Sequence, residues 1–373
     1  MSDIISAADA LSPIARGAAD RAERERRLPE EVVRGLIDAG IPNMLVPQAI
    51  GGGEVHPLTF LEVTERLAVA DAAAAWCGMI AATSGLPSAY MDADSARELY
   101  GPDDVAGGAL APRGAATPVE GGYQVSGRWP FNSGCEHCTL LMGGTMIARD
   151  SAHEFRLMLF PAGDAEILDT WSVSGLCGTG SHDIEVRDLF VPDARAVSLA
   201  GPPTQPGPLY VFPLFGLLAI GVAAVALGIA RGAIDDLCTL AGAKTPTLST
   251  RKLAERPSTQ AAVASTEAAL RAARAYLVEA IEDAWDAAVN AGRIELSQRA
   301  LLRAASTHAT RSSAEIVDRM YDAGGGTSIY TKSPLQRRFR DVHAATQHMV
   351  IAPATYELAG RVLLGLETDA SQL

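Results

Sequence analysis

The chain has 373 residues, 48% hydrophobic and 20% charged, with a formal net charge of −13. That is the composition of a globular protein with a large core, not of a disordered one. The acidic balance argues against nucleic acid and anionic membrane surfaces as partners, because both need a basic face. It leaves room for a small anion held by local arginines or helix N-termini. The cysteines (Cys77, Cys135, Cys138, Cys177, Cys238) are odd in number, which suits reduced thiols in a cytoplasm better than a disulfide framework. The N-terminus lacks the basic region and apolar run of a secretory signal.

The first hundred residues read as helices. Ser12-Pro13 predicts a helix start, a capping side chain followed by proline in the first turn. Val32, Val33, Leu36 and Ile37 recur at helical spacing. Gly51 to Gly53 predicts a loop, and Pro57 to Ala89 one or two buried helices. From about Val105 the pattern changes. Gly121-Gly122 signals a turn, followed by Tyr123, Val125 and Gly127 alternating with polar residues. CTLLMGGTMIA, EFRLMLF and HDIEVRDLFVP are further strand-like runs, making a β domain that ends near Val197.

A Pro/Gly linker, GPPTQPGP (201–208), precedes long Ala-rich helical stretches at about 213–242, 257–291, 297–323 and 341–366. Such helices predict an antiparallel bundle. Pro213 to Ile234 opens with a charge-free run long enough to span a membrane. With no second span and charges following at once, a buried bundle helix is the preferred reading. Gly324 is placed as a left-handed stop for the third long helix. The fold class is α+β, mainly α, in three parts: 1–104 helical, 105–200 β, 201–373 helical bundle.

Three stretches carry chemistry. The first is GGYQVSGRWPFNSGCEHC (121–138), the second DTWSVSGLCGTGSHDIEVRDLFVP (169–192). The third, GGGTSIYTKSPLQRRFRDVHAATQHM (324–349), has three glycines, an Arg340-Asp341 pair and a helix-like run with His343 and His348. On a helix these histidines would lie about 140° apart and share no face. Cys135-Glu136-His137-Cys138 is a lone C-x-x-C without a second pair, so no metal site is expected. His137 and His182 read as loop-stabilising residues.

Together the three stretches resemble the acyl-CoA dehydrogenase superfamily. That superfamily's order is a helical N-domain, a central β-barrel or sandwich domain and a C-terminal four-helix bundle. Its dehydrogenases can carry a catalytic glutamate eight residues past the aspartate. That position here is Met349. The W-x-F-x-S-G form of the first stretch is similar to the two-component (group D) flavin-dependent monooxygenase branch. The resemblance implies an oxygenase component that uses reduced flavin (FMN or FAD) and O2, through a C4a-hydroperoxyflavin, to hydroxylate or N- or S-oxidise a small organic substrate. It implies Trp129, Phe131 and Ser133 at the flavin, with Ser133 near N5 through its hydroxyl or its backbone N–H and Asn132 orienting it or contacting the flavin edge. His348 would be the acid/base, and Ser133 and Asn132 the other catalytic candidates. Gly325, Gly326 and Arg340 would meet the flavin phosphates, unless Arg340-Asp341 is a helix-start ion pair. Trp76 is a candidate pocket wall or simply helix core.

One departure concerns the adenine end. The superfamily's Arg-x-x-Phe-Gly element corresponds to STRKLAERPSTQ, which keeps Arg251 and Gln260 but no Phe-Gly. The absence of a G-x-G-x-x-G fingerprint implies that a separate NAD(P)H:flavin reductase supplies the flavin. The resemblance also implies a homotetramer. A dehydrogenase acting on an acyl thioester and a non-catalytic binding protein on the same fold are the alternatives.

Overall fold

The computed structural model describes residues 2–149, 152–371 and 373. It divides into two compact units, one of residues 1–56, 76–173 and 177–210, the other of residues 57–75, 174–176 and 211–373.

The first unit opens with α1 (Ser2–Glu25) and α2 (Glu30–Asp38), in which Val32 and Leu36 are buried. Pro13 lies inside α1 rather than at its start, and Ser12 donates its hydroxyl to the Ala8 carbonyl one turn back. The expected helix start is therefore mid-helix. The unit continues with most of α4 (Ala72–Ser84) and with α5 (Ala93–Leu99), which Asp92 caps by accepting from the Asp94 and Ser95 N–H groups.

A seven-stranded sheet follows: β1 (Ala106–Val119), β2 (Gly122–Asn132), β3 (Leu140–Arg149), β4 (Ala152–Pro161), β5 (Glu166–Leu168), β6 (His182–Pro192) and β7 (Ala196–Val197), in the order β5-β6-β2-β1-β3-β4-β7. Gly121 turns β1 into β2 at φ +78°, the left-handed value the sequence signal called for. The β3 and β4 runs read as continuously apolar because both of their faces are covered. Leu141, Ile147, Met158 and Phe160 pack with Trp129 and Ile184 on one side. Leu140, Met142, Leu157 and Leu159 pack with Val46, Met91 and Tyr100 on the other. This alternation is the period-two geometry of a strand.

The second unit is helical: α3 (Pro57–Ala70), α6 (Leu214–Ala243), α7 (Pro257–Ala291), α8 (Leu296–Gly324), α9 (Pro334–Ala345) and α10 (Ala354–Leu363). Helix α6 is apolar on every face because α3, α7, α8 and α9 surround it. The most apolar 18-residue window of α6 is 83% buried. Gly228 allows close packing, since a Cβ there would sit 2.3 Å from the Glu65 carbonyl oxygen of α3. The expected helix over 341–366 is two helices. Helix α9 ends at Ala345, a 3-10 turn occupies Met349–Ile351, and Pro353 precedes α10. The glycine stop also shifts by one residue. Gly324 is right-handed at φ −68°, and Gly325 takes φ +57° at the end of α8.

Candidate functional site

The end of β2 builds the first cluster. Trp129 pairs with Ile184 and Asn132 with His182, so β2 carries one residue more than β6 between these pairs. This bulge breaks the strand's alternation and re-aims its side chains. Phe131 points outward, 71% exposed and at φ +65°. A bulky residue costs about 1–2 kcal/mol in that region, a strain that marks functional segments. Its ring meets Trp171 edge-on, with centroids 6.2 Å apart. Trp171 is fixed in turn. Arg26 Nη1 donates to its carbonyl, and His182 Nδ1 accepts from the N–H groups of Thr170 and Trp171. Arg26 is itself held by Asp169 through both terminal nitrogens.

Asn132 and Ser133 turn inward. Asn132 Nδ2 donates to the Trp129 and His182 carbonyls at 2.6 and 3.3 Å, while its buried Oδ1 has no hydrogen-bond partner among the described residues. The Ser133 N–H closes onto the Phe131 carbonyl at 3.1 Å, so the hydroxyl is the group with bonding freedom. Ser133 Oγ accepts from Trp76 Nε1 at 3.0 Å and shares a hydrogen bond with Ser181 Oγ at 2.8 Å. Ser181 in turn shares one with Thr179 Oγ1 at 2.7 Å. Trp76 and Ser181 had no such role in the sequence reading. Ser181 lies inside the second motif, but neither residue's spacing reveals the contact.

Trp129 corrects an expectation. Its indole is fully buried in the β core and donates Nε1–H to the Gly144 carbonyl at 2.8 Å. Gly114, Gly127 and Gly143 form the slot around it, since a Cβ at any of them would lie 2.4 to 2.6 Å from ring atoms. A ring with no surface cannot pack on a flavin. Phe131 is the exposed aromatic of that motif.

Cys135 donates its thiol to the Gly180 carbonyl and Cys138 to the Gly134 carbonyl. Burial pushes the Cys135 thiol up to about 12, so it stays protonated. His137 is held neutral by burial, its pKa lowered to about 4.

The second cluster belongs to the helical unit. Gly325 and Gly326 are exposed, and a Cβ at Gly326 would meet nothing within 4 Å. Lys244 Nζ donates to the Gly324 carbonyl at 2.8 Å beside them. Arg340 donates from Nε to Gln336 and from Nη1 to the Ser174 carbonyl. Asp341 is buried and accepts from the Leu176 N–H at 2.7 Å. Burial raises its carboxyl to about 7. Arg338 packs into the space left by Gly232, pairs with Asp236 at 3.1 Å and donates to the Ala68 and Val69 carbonyls. It thereby closes the open C-terminal turn of α3.

His348 sits at the start of the 3-10 turn, not on a helix, and its Nδ1 accepts from the Val350 N–H at 3.3 Å. Burial, aided by Arg303, lowers its pKa to about 4. The ring is neutral, and with Nδ1 accepting, Nε2 carries the proton. His343, on α9, contacts Asp318 at 2.8 Å and the edge of Phe339. Gln260 bonds the Ala254 carbonyl at the start of α7, and Arg251 lies exposed in the preceding loop.

Comparison with known proteins accounts for this architecture. Residues 7–94 match the acyl-CoA dehydrogenase N-terminal domain and residues 220–353 the acyl-CoA dehydrogenase C-terminal domain. The chain is 34% identical to an indole-3-acetate monooxygenase of Pseudomonas putida, over 97% of this chain and 95% of that one. It is 31% identical to the flavin-dependent monooxygenase oxygenase subunit HsaA of Mycobacterium tuberculosis, over 97% and 95% of the two chains. The crystal structure of that HsaA superposes with a TM-score of 0.91 at 30% identity, covering 100% of this chain and 99% of the other. The chain therefore belongs to the acyl-CoA dehydrogenase superfamily, in the branch of flavin-dependent monooxygenase oxygenase components.

Proposed function

We propose that this chain takes reduced FMN or FAD from a separate NAD(P)H:flavin reductase and, with O2, inserts one oxygen atom into a small aromatic substrate. The observation that carries the reading is the position of the dehydrogenase base. Met349 stands there, 58% exposed, and a thioether moves no proton. An acyl thioester would find no carboxylate at that position to remove its α-proton. The indole-3-acetate named for the Pseudomonas putida relative supports an aromatic or heteroaromatic substrate class.

The residues present fit a flavin. Phe131 offers an exposed, conformationally strained aromatic face. Ser133 supplies a hydroxyl with bonding freedom to the isoalloxazine edge near N5. Asn132, tied to the Trp129 and His182 carbonyls, fixes the turn that presents it. The open backbone at Gly326, with Lys244 beside Gly325, suits a phosphate that must approach closely. Arg340, two of whose nitrogens hold Gln336 and the Ser174 carbonyl, is the further cation proposed for the phosphates. His348 offers a neutral Nε2–H that can donate a proton and take one back, the acid/base role proposed for it. When bound, reduced flavin supplies the electrons that activate O2. The exposed Leu363, Leu364, Ile329 and Tyr330 support the family's homotetramer, and the free thiols support a cytoplasmic setting.

The test is anaerobic loading with reduced FMN or FAD, followed by mixing with O2 and a panel of indoles and phenols. Product mass, oxygen uptake and peroxide release are read. Products gaining one oxygen atom are expected with reduced flavin, and none with NADH alone. Purification with tightly bound FAD that an acyl-CoA reduces would overturn the reading.

A further inference from the structure

The chain Trp76–Ser133–Ser181–Thr179 does more than satisfy a buried indole. All four residues are nearly closed off, at 7%, 7%, 3% and 1% exposure respectively. An indole N–H can only donate, so Trp76 occupies one lone pair of Ser133 Oγ permanently. The two remaining links, Ser133 to Ser181 and Ser181 to Thr179, join hydroxyl to hydroxyl. Each can run in either direction. A backbone carbonyl in place of Ser181 would have fixed the direction. The far end of the chain is anchored, because the Thr179 carbonyl accepts from the Gly134 N–H at 2.7 Å and from the Cys77 thiol.

We propose that Ser181 and Thr179 are positioning residues that make Ser133 a reversible hydrogen-bonding group, donating to the oxidised form of the bound flavin and accepting from the reduced form. The inference rests on the reading that Ser133 faces flavin N5. Oxidised flavin presents a lone pair at N5, and reduced flavin presents an N–H. In one arrangement Thr179 donates to Ser181 and Ser181 to Ser133, whose own proton then points outward to an acceptor. In the other, Ser133 donates to Ser181 and Ser181 to Thr179, and the second lone pair of Ser133 faces outward to a donor. Only O–H bonds rotate between the two. No proton changes its atom and no charge is created. Trp76 keeps the oxygen in place in both.

Removing the hydroxyl of Ser181 takes away the inward acceptor. The Ser133 proton then points outward whichever form is bound, which suits the oxidised flavin and opposes the N–H of the reduced one. Ser181→Ala should therefore raise the dissociation constant of anaerobically reduced FMN about tenfold relative to that of oxidised FMN, a difference of about 1.4 kcal/mol. The midpoint potential of bound FMN should move about 30 mV more negative, the two-electron equivalent of that factor. Ser181→Thr, which restores a hydroxyl, should return both quantities toward the wild-type values. Thr179→Val, which keeps shape and the carbonyl contacts, should shift the ratio in the same direction by a smaller factor. It also carries the test alone if Ser181→Ala does not fold.

A purely structural chain would change both dissociation constants by one common factor, or neither, and either result overturns the proposal. Ser133→Ala separates the two readings. If it alters the affinity of neither form, Ser133 does not face the flavin and the underlying site assignment fails. If it alters affinity while Ser181→Ala and Thr179→Val leave the ratio unchanged, the site stands and the reversible chain fails.

Discussion

Trp129→Leu separates core packing from flavin binding. The indole fills a slot lined by three glycines and donates to the Gly144 carbonyl. Losing that hydrogen bond costs about 1 kcal/mol, and losing the six-membered ring from a close-packed core costs about 2–3 kcal/mol more. Gly143→Ala attacks the same contact from the other side, because its Cβ would lie 2.4 Å from Cε2 and Cζ2 of the indole. Overpacking of that kind costs about 1–3 kcal/mol. Leucine reaches neither atom, so the double variant should be less destabilised than the sum of the single variants by about 1 kcal/mol or more. Urea unfolding of the flavin-free protein, followed by far-ultraviolet circular dichroism, measures each term. Flavin binding to the folded Trp129→Leu variant should stay within about twofold of wild type, a change well under one tenfold step. Strict additivity, or a variant of normal stability that binds flavin tenfold more weakly, would refute the placement of Trp129 in the core.

Three further outcomes are expected. His348→Ala should lower product formed per flavin oxidised by about tenfold or more and raise peroxide release correspondingly. The wild-type coupling should show no titration limb from this imidazole between pH 5.5 and 7.5, because its pKa lies at about 4. Asp341 keeps its proton in the fold up to about pH 7, against an ordinary value of 3.8. The folded chain thus binds more protons than the unfolded chain across that window, and stability falls as pH rises through it, by at most about 1.4 kcal/mol per pH unit. Asp341→Asn, measured by chemical denaturation at pH 5 and pH 7.5, should remove that dependence; an unchanged slope would show that another group causes it. Gly326→Ala should fold like wild type, since its Cβ meets nothing within 4 Å. It should nonetheless bind FMN more weakly if the phosphate approaches there, and equal affinity would move the phosphate elsewhere.

The long helices α6, α7 and α8 were legible because their apolar runs are long and their ends carry proline or glycine. Strand β1 was harder to read. AGGALAPRGAATPV has neither β-branched enrichment nor clean alternation, yet it occupies the middle of the sheet between β2 and β3. Its small residues serve the ring of Trp129 and the close approach of neighbouring backbone, a tertiary demand that local propensity does not express. The break after Ala345 was hidden for a similar reason. His348 ends the helical pattern by accepting a backbone N–H, and no glycine marks the place. At the site, Ser133 and His348 came from resemblance, whereas the bond from Trp76 to Ser133 joins residues 57 positions apart. The bulge that sends Phe131 outward depends on pairing with β6, which the β2 sequence alone does not contain.

The clasp that Arg338 places on α3 has a consequence for the growing chain. The carbonyls it receives, at Ala68 and Val69, precede it by 270 and 269 residues. Synthesis runs from the N-terminus, so α3 leaves the ribosome long before its guanidinium partner exists. The end of that helix must wait, its last carbonyls bonded to water, while the whole β domain and three long helices are made. Completion of the helical unit is thus timed by the last tenth of the chain, and a truncation before α9 would leave α3 formed but unfastened.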